Sequence, residues 1–418
     1  MILRLIWRGN FWYIELMRLL FVADGRSPIA QNWIRYFAER GDEVHLASTF
    51  DCSVDFPLAG YEFTPVAFSG AKKSSQRPGA ASSRTLGLRT AIRHFIGPLT
   101  IPRAAKRLRG FIERVQPDLI HAMRIPYEGM LAADAYPAAQ SGGSSTKVSR
   151  PEVEAPPLIV SVWGNDFTLH ASSTLLMKHY TAWTMKVADA LHADCQRDIR
   201  LGKQWGFDAS RPTLVAPGNG GIKTDVFYPP SKPVDDPIII NPRGFRSYVR
   251  NDVFFQAIPL VLKKIPNAKF ICASMAGESQ ALKWVGHLNI AHAVELLPPL
   301  PHAQMAEVFR RAQIVVSPSV HDGTPNSLLE GLACGCFPVA GDLESIREWI
   351  TPGENGLLVD AANPQNLADA ILEGLENKNL RQKAAGLNAE IIQQRAEYAR
   401  TMKRVEEFYQ KVIQKVSP

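Results

Sequence analysis

Residues 314–342 hold the side chains and amides of this chain that are best spaced for chemistry. They open with a β-branched Ile-Val-Val run (314–316), which is typical of a buried strand. A polar glycine loop follows, and Thr324 and Pro325 suit the cap and the first position of a helix. The sequence therefore predicts a strand, a loop and a short helix that ends at Gly335.

The start of this helix is a predicted anion site. The amides of Asn326, Ser327 and Leu328 lack partners inside the helix, and the positive end of the helix dipole faces the loop. Glu330 lies one turn after Asn326 and shares its face of the helix. A ligand with phosphates at the helix start would therefore lie close to the Glu330 carboxylate. The alternative is an ordinary strand–helix unit of a parallel sheet that binds no ligand.

Composition limits the classes of protein to which this chain can belong. Its 418 residues are enough for two domains with a core each, and 46% hydrophobic content is ordinary for a globular protein. A net charge of +7 is too small for the dense basic field of a nucleic-acid binder, so we expect no nucleic-acid partner. The five cysteines form no paired metal-ligand spacing, which indicates reduced thiols and a cytoplasmic protein.

The elements that must position the site follow an alternating pattern. A strand at 17–23, a helix that stops at Gly41 and a strand at 44–48 form a βαβ unit. Sheets of this kind bind ligands beyond the carboxyl ends of their strands. Gly25, directly after the first strand, would let a substrate approach the backbone closely, and a simple tight turn is the alternative. In the second half we predict a helix at 343–350.

The run 322–335, DGTPNSLLEGLACG, resembles the acidic-x7-Glu signature of the family 4 glycosyltransferases, which have the GT-B fold. The resemblance is specific there and more diffuse over the rest of 17–416. It implies an α/β protein with two Rossmann-like domains that face a cleft. It also implies a C-terminal helix that crosses back to the first domain. The segments that we expect are an extension (1–16), an acceptor-binding domain (17–216), a nucleotide-sugar-binding domain (217–395) and the returning helix (396–418).

The resemblance also assigns the donor site. It implies that Glu330 binds the ribose hydroxyls of a nucleotide sugar. Asp322, where the family more often has Glu, is implied to be a catalytic residue near the donor sugar. The implied contacts of the diphosphate are the loop glycine and the helix amides, at Gly323, Asn326, Ser327 and Leu328.

Two arginines of the second half are expected to bind the same diphosphate. In the family, an Arg after the first strand of this domain and a Lys at the next helix start hold the phosphates. Arg243 occupies the first position, and Arg250 stands where the Lys is expected. A guanidinium can clamp phosphate through two parallel hydrogen bonds, so the replacement is chemically sensible.

Polar residues that follow strands of the first half are candidates on the acceptor side. His121 coincides with the family's His-rich segment and is a candidate catalytic residue, although a lone His is more often structural. Arg124 is a candidate for contact with substrate charge. The Trp-Gly-Asn-Asp turn that ends at Asp166 resembles a cleft-facing turn of the family, so Asp166 is a candidate catalytic residue, or else forms an Asx turn. The resemblance gives Gly25 an acceptor-side role.

The resemblance implies a retaining, hexosyltransferase-type glycosyltransferase. It would move a sugar from a nucleotide-diphosphate sugar to a hydroxyl of a glycan, a lipid-linked acceptor or a small molecule. The chain has no Asp-x-Asp triplet, so we expect no metal and no other cofactor, with positive groups neutralising the leaving diphosphate. The alternatives are another GT-B activity, such as a sugar-nucleotide epimerase or a phosphorylase, and a non-catalytic binding protein.

Basic residues recur between apolar ones at 84–114. This pattern predicts a basic amphipathic surface that meets an anionic membrane or an anionic acceptor. The alternative is a solvated helix face. We therefore expect a cytoplasmic protein with the option of peripheral contact at the inner face of the plasma membrane. The residues that carry the pattern are Arg89, Arg93, Arg103, Lys106, Arg107 and Arg109.

Overall fold

The computed structural model describes residues 16–69, 93–136 and 155–416. The described chain forms two α/β domains, each built around a parallel sheet. The predicted pair of Rossmann-like domains is therefore confirmed. The predicted extension lies outside the described residues except for its last position, and Arg89 of the basic stretch lies outside them as well.

The described residues of the first domain form seven parallel strands. They are β1 (Arg18–Ala23), β2 (Glu43–Ser48), β3 (Gly60–Phe63), β4 (Leu119–Ala122), β5 (Leu158–Val162), β6 (Ala190–Ala193) and β7 (Thr213–Val215). Their order in the sheet is β3-β2-β1-β4-β5-β6-β7. The central strands β4 and β5 are buried at every position, as expected where helices cover both faces of a parallel sheet. Because the strands are parallel, the turns after β1, β4, β5 and β6 meet at one edge.

Helices cover this sheet within the described residues. They are α1 (Pro28–Arg40), α2 (Ile101–Val115), α3 (Met130–Ala135), α4 (Leu175–Val187) and α5 (Gln196–Gln204). The hydroxyl of Ser27 caps α1 by accepting the Ala30 amide, and Gly41 ends it with φ of 101°. That left-handed conformation favours glycine, and the predicted stop at Gly41 is confirmed.

The second domain repeats the architecture with six parallel strands. They are β8 (Ile238–Asn241), β9 (Lys269–Cys272), β10 (Val294–Leu296), β11 (Ile314–Ser317), β12 (Phe337–Gly341) and β13 (Leu357–Val359). Their order is β10-β9-β8-β11-β12-β13. The described helices of this domain are α6 (Asn251–Leu262), α7 (Ser279–His287), α8 (His302–Arg311), α9 (Asn326–Ala333), α10 (Pro364–Glu376) and α11 (Lys378–Ile391).

The last helix, α12 (Tyr398–Val416), returns to the first domain as expected. The Glu397 carboxylate caps its start by accepting the amides of Ala399 and Arg400. On its buried face the Tyr409 ring stacks on Phe37 of α1, with centroids 4.9 Å apart. The returning helix therefore shares the core of the first domain.

The chain crosses between the domains twice, and the two crossings lie side by side. Ile222 and Glu397 form a parallel β-bridge. Gly221 has φ of 109°, and a Cβ there would lie 2.4 Å from the Ala396 carbonyl oxygen. Glycine is therefore needed at this position both for its backbone conformation and for the close approach of the second crossing.

The helix predicted at 343–350 is wrong, because this segment is a series of turns. Its side chains make hydrogen bonds to the loop after β11 and to the first domain. Ser345 donates to the Asp322 carbonyl, Trp349 donates to Thr324, and the Glu348 carboxylate accepts amides of α5. In the described parts of the chain, no helix combines the length and the apolar character that crossing a bilayer requires.

Candidate active site

The loop after β11 and the start of α9 form the centre of the site. The helix begins at Asn326, and its cap is Pro325, which provides no side-chain hydrogen bond. The predicted cap, Thr324, donates instead to the Asp194 carbonyl in the first domain and accepts a hydrogen bond from Trp349. The prediction of a Thr324 cap is therefore wrong, since an interdomain contact uses its hydroxyl.

Without a side-chain cap, the first amides of α9 are open to a ligand. Those of Asn326 and Ser327 have no hydrogen-bond partner among the described residues, whereas Leu328 donates to the Pro325 carbonyl at 3.0 Å. The free amides are thus two of the three that we predicted. The side-chain oxygen of Asn326 is also buried without a partner. The helix start therefore offers two N–H donors and the positive end of its dipole.

Glu330 lies one turn into α9 and is half-buried. Within the described residues its carboxylate makes no hydrogen bond to the protein. Desolvation by burial raises the pKa of Glu330 from 4.5 to about 7. A carboxylate held in this way without a partner is a free acceptor for the hydroxyls of a ligand.

The structure brings Asp322 and Arg243 together. An Arg243 terminal nitrogen lies 2.6 Å from the Asp322 carboxylate, which also accepts the Gly323 amide at 3.1 Å. Arg243 also lies over the ring of Tyr248 and donates to its hydroxyl at 3.4 Å. Arg250 does not join this group, because its guanidinium pairs with Asp252 at 2.7 Å.

On the first domain, Arg124 and Asp166 form a pair. The Arg124 Nε lies 2.9 Å from a fully buried Asp166 oxygen, and Asp166 also accepts the amides of Ile125 and Trp163. Burial raises the pKa of Asp166 above its usual value, although these partners oppose the shift. Burial lowers the pKa of Arg124, but the charges of Asp166 and other groups, including Tyr248 of the second domain, outweigh it. Asp166 thus fixes the orientation of the Arg124 guanidinium.

His121 is not brought together with these residues. It is 1% exposed, and its Nδ1 is hydrogen-bonded to the Tyr409 hydroxyl while its Nε2 is bonded to Ser161 at 2.7 Å. Ser161 continues the network to His192, whose Nε2 is bonded to the Ala216 carbonyl. Burial, and next the neighbouring His192, hold the pKa of His121 well below its usual range. This neutral, fully bonded ring connects strands of the core, a placement that favours a structural role.

Gly25 is also packed against protein. Its amide donates to the Ser48 hydroxyl at 3.0 Å, and a Cβ there would lie 2.3 Å from the Cys52 sulfur. The space that we expected a substrate to fill is thus occupied by Cys52. Its acceptor-side role stays a prediction.

The two domains touch at the loop that carries Asp322. A Cβ on Gly164, in the turn after β5, would lie 1.8 Å from the Gly323 nitrogen, so only glycine permits this contact. The buried guanidinium of Arg197 spans the junction, donating to the carbonyls of Asp322 at 2.6 Å and Gly164 at 2.8 Å. Glu348 of the second domain accepts the Gln196 and Arg197 amides, at the positive end of α5.

Asp194 lies in the same junction with an unusual charge state. Its carboxyl is buried against Gly323, and one oxygen has no hydrogen-bond partner. Burial, with the neighbouring Asp198 and Asp322 charges, raises its pKa well above the usual value. A neutral carboxyl at this point avoids repulsion of the Asp322 carboxylate.

One group of side chains in the described ranges has donor atoms close enough for a metal ion: Asp194, Cys195 and Asp198. However, the Arg197 guanidinium already donates to Asp198 at 2.9 and 3.1 Å. Burial raises the pKa of the Cys195 thiol, which opposes the thiolate that a metal needs. The chemistry of this group therefore favours an arginine partner over a cation.

Comparisons with known proteins agree with this geometry. Residues 25–218 match the family model described as a glycosyl transferase 4-like domain, and residues 241–377 match the model described as glycosyl transferases group 1. The chain belongs to the family 4 glycosyltransferases. The matched ranges contain every site residue predicted from the sequence.

Curated relatives of this family 4 chain include D-inositol 3-phosphate glycosyltransferases. That of Thermobispora bispora is 25% identical over 252 residues, which are 55% of this chain and 58% of the relative. That of Mycolicibacterium smegmatis is 26% identical over 186 residues, which are 41% of each chain. The chain thus spans about half the length of the curated relatives it matches.

Solved structures identify the fold as GT-B. Sucrose-phosphate synthase from Thermosynechococcus elongatus has a TM-score of 0.70 at 14% identity, over 95% of this chain and all of that one. HepE from Anabaena, solved with UDP and glucose, has a TM-score of 0.66 at 15% identity, over 94% and 100% of the two chains. At these identities the likeness establishes the shared architecture alone.

Sequence reasoning missed Arg197, Asp194 and Tyr248. Asp194 follows β6 directly and Arg197 lies in the first turn of α5, at the sheet edge where ligands bind to parallel sheets. The polar residues after that strand could therefore have indicated them. Tyr248 lies in an irregular loop, and only the fold places it beside Arg243. No periodic pattern in the sequence indicates that contact.

Glu330→Gln is expected to change the pH dependence of stability. Because the folded protein binds the Glu330 proton more tightly than the unfolded chain, the free energy of unfolding falls as pH rises from 4.5 to about 7. The variant lacks this loss and should be about 1–2 kcal/mol more stable than wild type at pH 8, and equally stable at pH 4. Urea unfolding at both pH values measures it, with exposed Glu376→Gln as the control. Equal stability at pH 8 would contradict the raised pKa.

Proposed function

We propose that this chain is a retaining glycosyltransferase that moves a sugar from a nucleoside-diphosphate sugar to an acceptor hydroxyl. The observation that carries the proposal is the uncapped start of α9, with Arg243 nearby across Asp322 and the unpartnered Glu330 one turn further on. Two free amides, a guanidinium and a free carboxylate match a diphosphate and a ribose. The relatives' names and the membership of family 4 support the same activity.

In the proposed complex each group has a separate task. The amides of Asn326 and Ser327 and the Arg243 guanidinium hold the diphosphate and neutralise the charge that develops as it leaves. Glu330 accepts the ribose hydroxyls. We propose that Asp322, which pairs with Arg243 here, contacts the donor sugar next to the diphosphate. We propose that these positive groups make a bridging metal unnecessary, in line with the missing Asp-x-Asp triplet.

The proposed reaction takes place on one face of the donor sugar. The bond from the anomeric carbon to the diphosphate breaks while the acceptor oxygen bonds to that carbon from the same side. The acceptor proton passes to the departing phosphate oxygen, so no protein base is required. The retaining outcome rests on the family alone.

Loss of the Glu330 carboxylate is expected to weaken the donor site. A hydrogen bond to a charged group contributes about 1.5–3 kcal/mol, so Glu330→Gln should raise the Kd for a nucleoside diphosphate about 10- to 100-fold. Calorimetry with UDP, GDP and ADP in the presence of chelator measures this, and it also identifies the base that the site prefers. Turnover of a mixture of nucleotide sugars should fall with it.

The matched control is Glu376→Gln, an exposed residue of α10. A non-catalytic binding protein would bind the diphosphate and turn nothing over, and an epimerase would convert the donor without an acceptor. Either result would contradict the proposed transfer, as would an absolute need for a divalent metal.

We further propose that the first domain contacts an anionic membrane. Several of its large apolar side chains are exposed, including Phe95 at 63%, Leu99 at 65% and Leu175 at 84%. Phe95 and Leu99 lie in the segment just before α2, whose exposed face carries Arg103, Lys106 and Arg107. An apolar surface bordered by basic side chains suits the anionic inner leaflet.

Vesicle sedimentation tests this contact. The chain should bind phosphatidylglycerol vesicles more strongly than phosphatidylcholine vesicles, and less strongly as salt increases. Leu99→Ser and Arg107→Gln should each reduce the partition coefficient for the vesicles, the second about fivefold, since a basic residue near such a surface contributes about 1 kcal/mol. Leu282→Ser, on the second domain, is the control. Equal binding to the two lipids would contradict the proposal.

A further inference from the structure

A cluster of basic side chains lies on the first domain beside the candidate site. It consists of Arg26, Arg93, His94, Arg124 and His170 and is called here the cationic cluster. The proposed donor chemistry uses none of these side chains. Four of them are close enough to influence one another, because the charges of Arg93 and Arg124 act on the pKa of both histidines.

Arg93 is half-buried, and its side chain contacts aromatic rings with no carboxylate paired to it among the described residues. Its charged end lies 4.7 Å from the ring centroid of Tyr127 and 5.5 Å from that of Phe50. Its Nε is buried without a hydrogen-bond partner, and it forms no ion pair with a described residue. An unsatisfied buried donor destabilises the protein unless a ligand accepts from it. Arg26 lies over the same Phe50 ring at 3.5 Å.

Arg124 contributes a second guanidinium with free donors. Only its Nε is bonded, to Asp166, and its terminal nitrogens have no hydrogen-bond partner among the described residues. Its backbone has φ of 151° and ψ of 151°, a region that non-glycine residues rarely occupy. Such strain is retained where the surroundings enforce it, and it concentrates at ligand sites.

The two histidines are hydrogen-bonded to each other, so one N–H of the pair is left to donate to a ligand. The His170 Nδ1 and the His94 Nε2 are 3.3 Å apart. Burial lowers the pKa of His94, and burial with the charges of Arg124, His94 and Arg93 lowers that of His170 to about 3. Both rings are therefore neutral at pH 7, so each carries one N–H and adds no positive charge of its own.

The carboxyl groups around the cluster do not neutralise Arg93. Asp24 pairs with Arg26 at 2.9 Å, and Asp166 pairs with Arg124. Glu128 is buried and accepts a hydrogen bond from Thr49 at 2.6 Å, and burial raises its pKa above the usual value. The cluster therefore keeps a positive charge that no described carboxylate pairs with directly.

We propose that the cationic cluster binds a phosphate group on the acceptor, chiefly through the guanidinium groups of Arg93 and Arg124. This inference rests on the proposed function, which it deepens by naming the acceptor class. Two guanidinium groups offer enough N–H donors for the several oxygens of a phosphate, whereas one would suffice for a carboxylate. Asp166, the partner of Arg124, also accepts the Trp163 amide, and the next residue, Gly164, packs against Gly323 of the loop that carries Asp322. A phosphate on the cluster would therefore hold the acceptor next to the donor.

Binding to protein saturated with UDP tests the site, since UDP fills the donor side. Inorganic phosphate and glucose 6-phosphate should bind, whereas glucose should not, as measured by phosphorus NMR line broadening and calorimetry. Arg93→Gln and Arg124→Gln should each raise the Kd for both phosphates at least tenfold. Lys203→Gln, which removes the same charge from an exposed position on α5, should leave the Kd unchanged.

Two further probes define the ligand. Glucuronate that binds as tightly as glucose 6-phosphate would overturn the assignment of phosphate. Dihexanoyl phosphatidic acid distinguishes a lipid-linked acceptor from a free sugar phosphate. If this lipid binds more tightly than glucose 6-phosphate, the phosphate belongs to a lipid-linked acceptor. If glucose 6-phosphate binds more tightly, it belongs to a free sugar phosphate. Unchanged phosphate binding in Arg93→Gln would overturn the site.

The same variants separate this inference from the proposed function. Their Kd for UDP should stay within threefold of wild type, because the cluster lies outside the donor site. If wild type failed to bind UDP, the proposed function would fall, and the phosphate titration of the free protein would still decide the site. Circular dichroism melting confirms that each variant is folded.

Discussion

The buried guanidinium of Arg197 joins the two domains where the candidate site lies. Arg197 donates to a carbonyl of each domain and pairs with Asp198. A charge removed from water is tolerated only when its donors are satisfied, and here its partners satisfy them across the interface. Separating the domains would leave this charge with only part of its partners. The buried charge of Arg197 therefore favours the state in which the two domains are in contact.

The contacts at this junction position the residues of the donor site. The Asp322 carbonyl is fixed by Arg197, so its carboxylate is aimed at Arg243. Thr324 is drawn to the first domain, which leaves the start of α9 without a side-chain cap and its first amides free. The anion site exists because an interdomain contact takes the residue that would otherwise cap the helix.

Much of the fold was predictable because its signals are local. The β-branched runs, the stop at Gly41 and the amphipathic last helix each fix an element within its own segment. The βα unit around Glu330 was predictable for the same reason, and its short signature also indicated the family. These signals use periodicity and turn chemistry, which the chain carries independently of its tertiary contacts.

The failures share a cause in contacts between distant segments. The local sequence predicts a cap at Thr324 and a helix at 343–350. Both predictions are wrong because polar groups of these segments are hydrogen-bonded to the first domain. The catalytic role of His121 stays a prediction, and its bond to the Tyr409 hydroxyl, from the far end of the chain, is a further contact that no local pattern indicates. The roles of Arg197 and Arg93 depend on contacts with segments that are distant in the sequence, so local patterns do not predict them.

Gly164→Ala tests most directly whether contact of the domains assembles the site. The added Cβ would lie 1.8 Å from the Gly323 nitrogen, whereas Gly286→Ala, with nothing within 4 Å, adds the same group without a clash. If contact of the domains assembles the site, Gly164→Ala should have a larger radius of gyration by X-ray scattering than the control. Its Kd for UDP should be at least tenfold higher. An unchanged radius together with an unchanged Kd would contradict it.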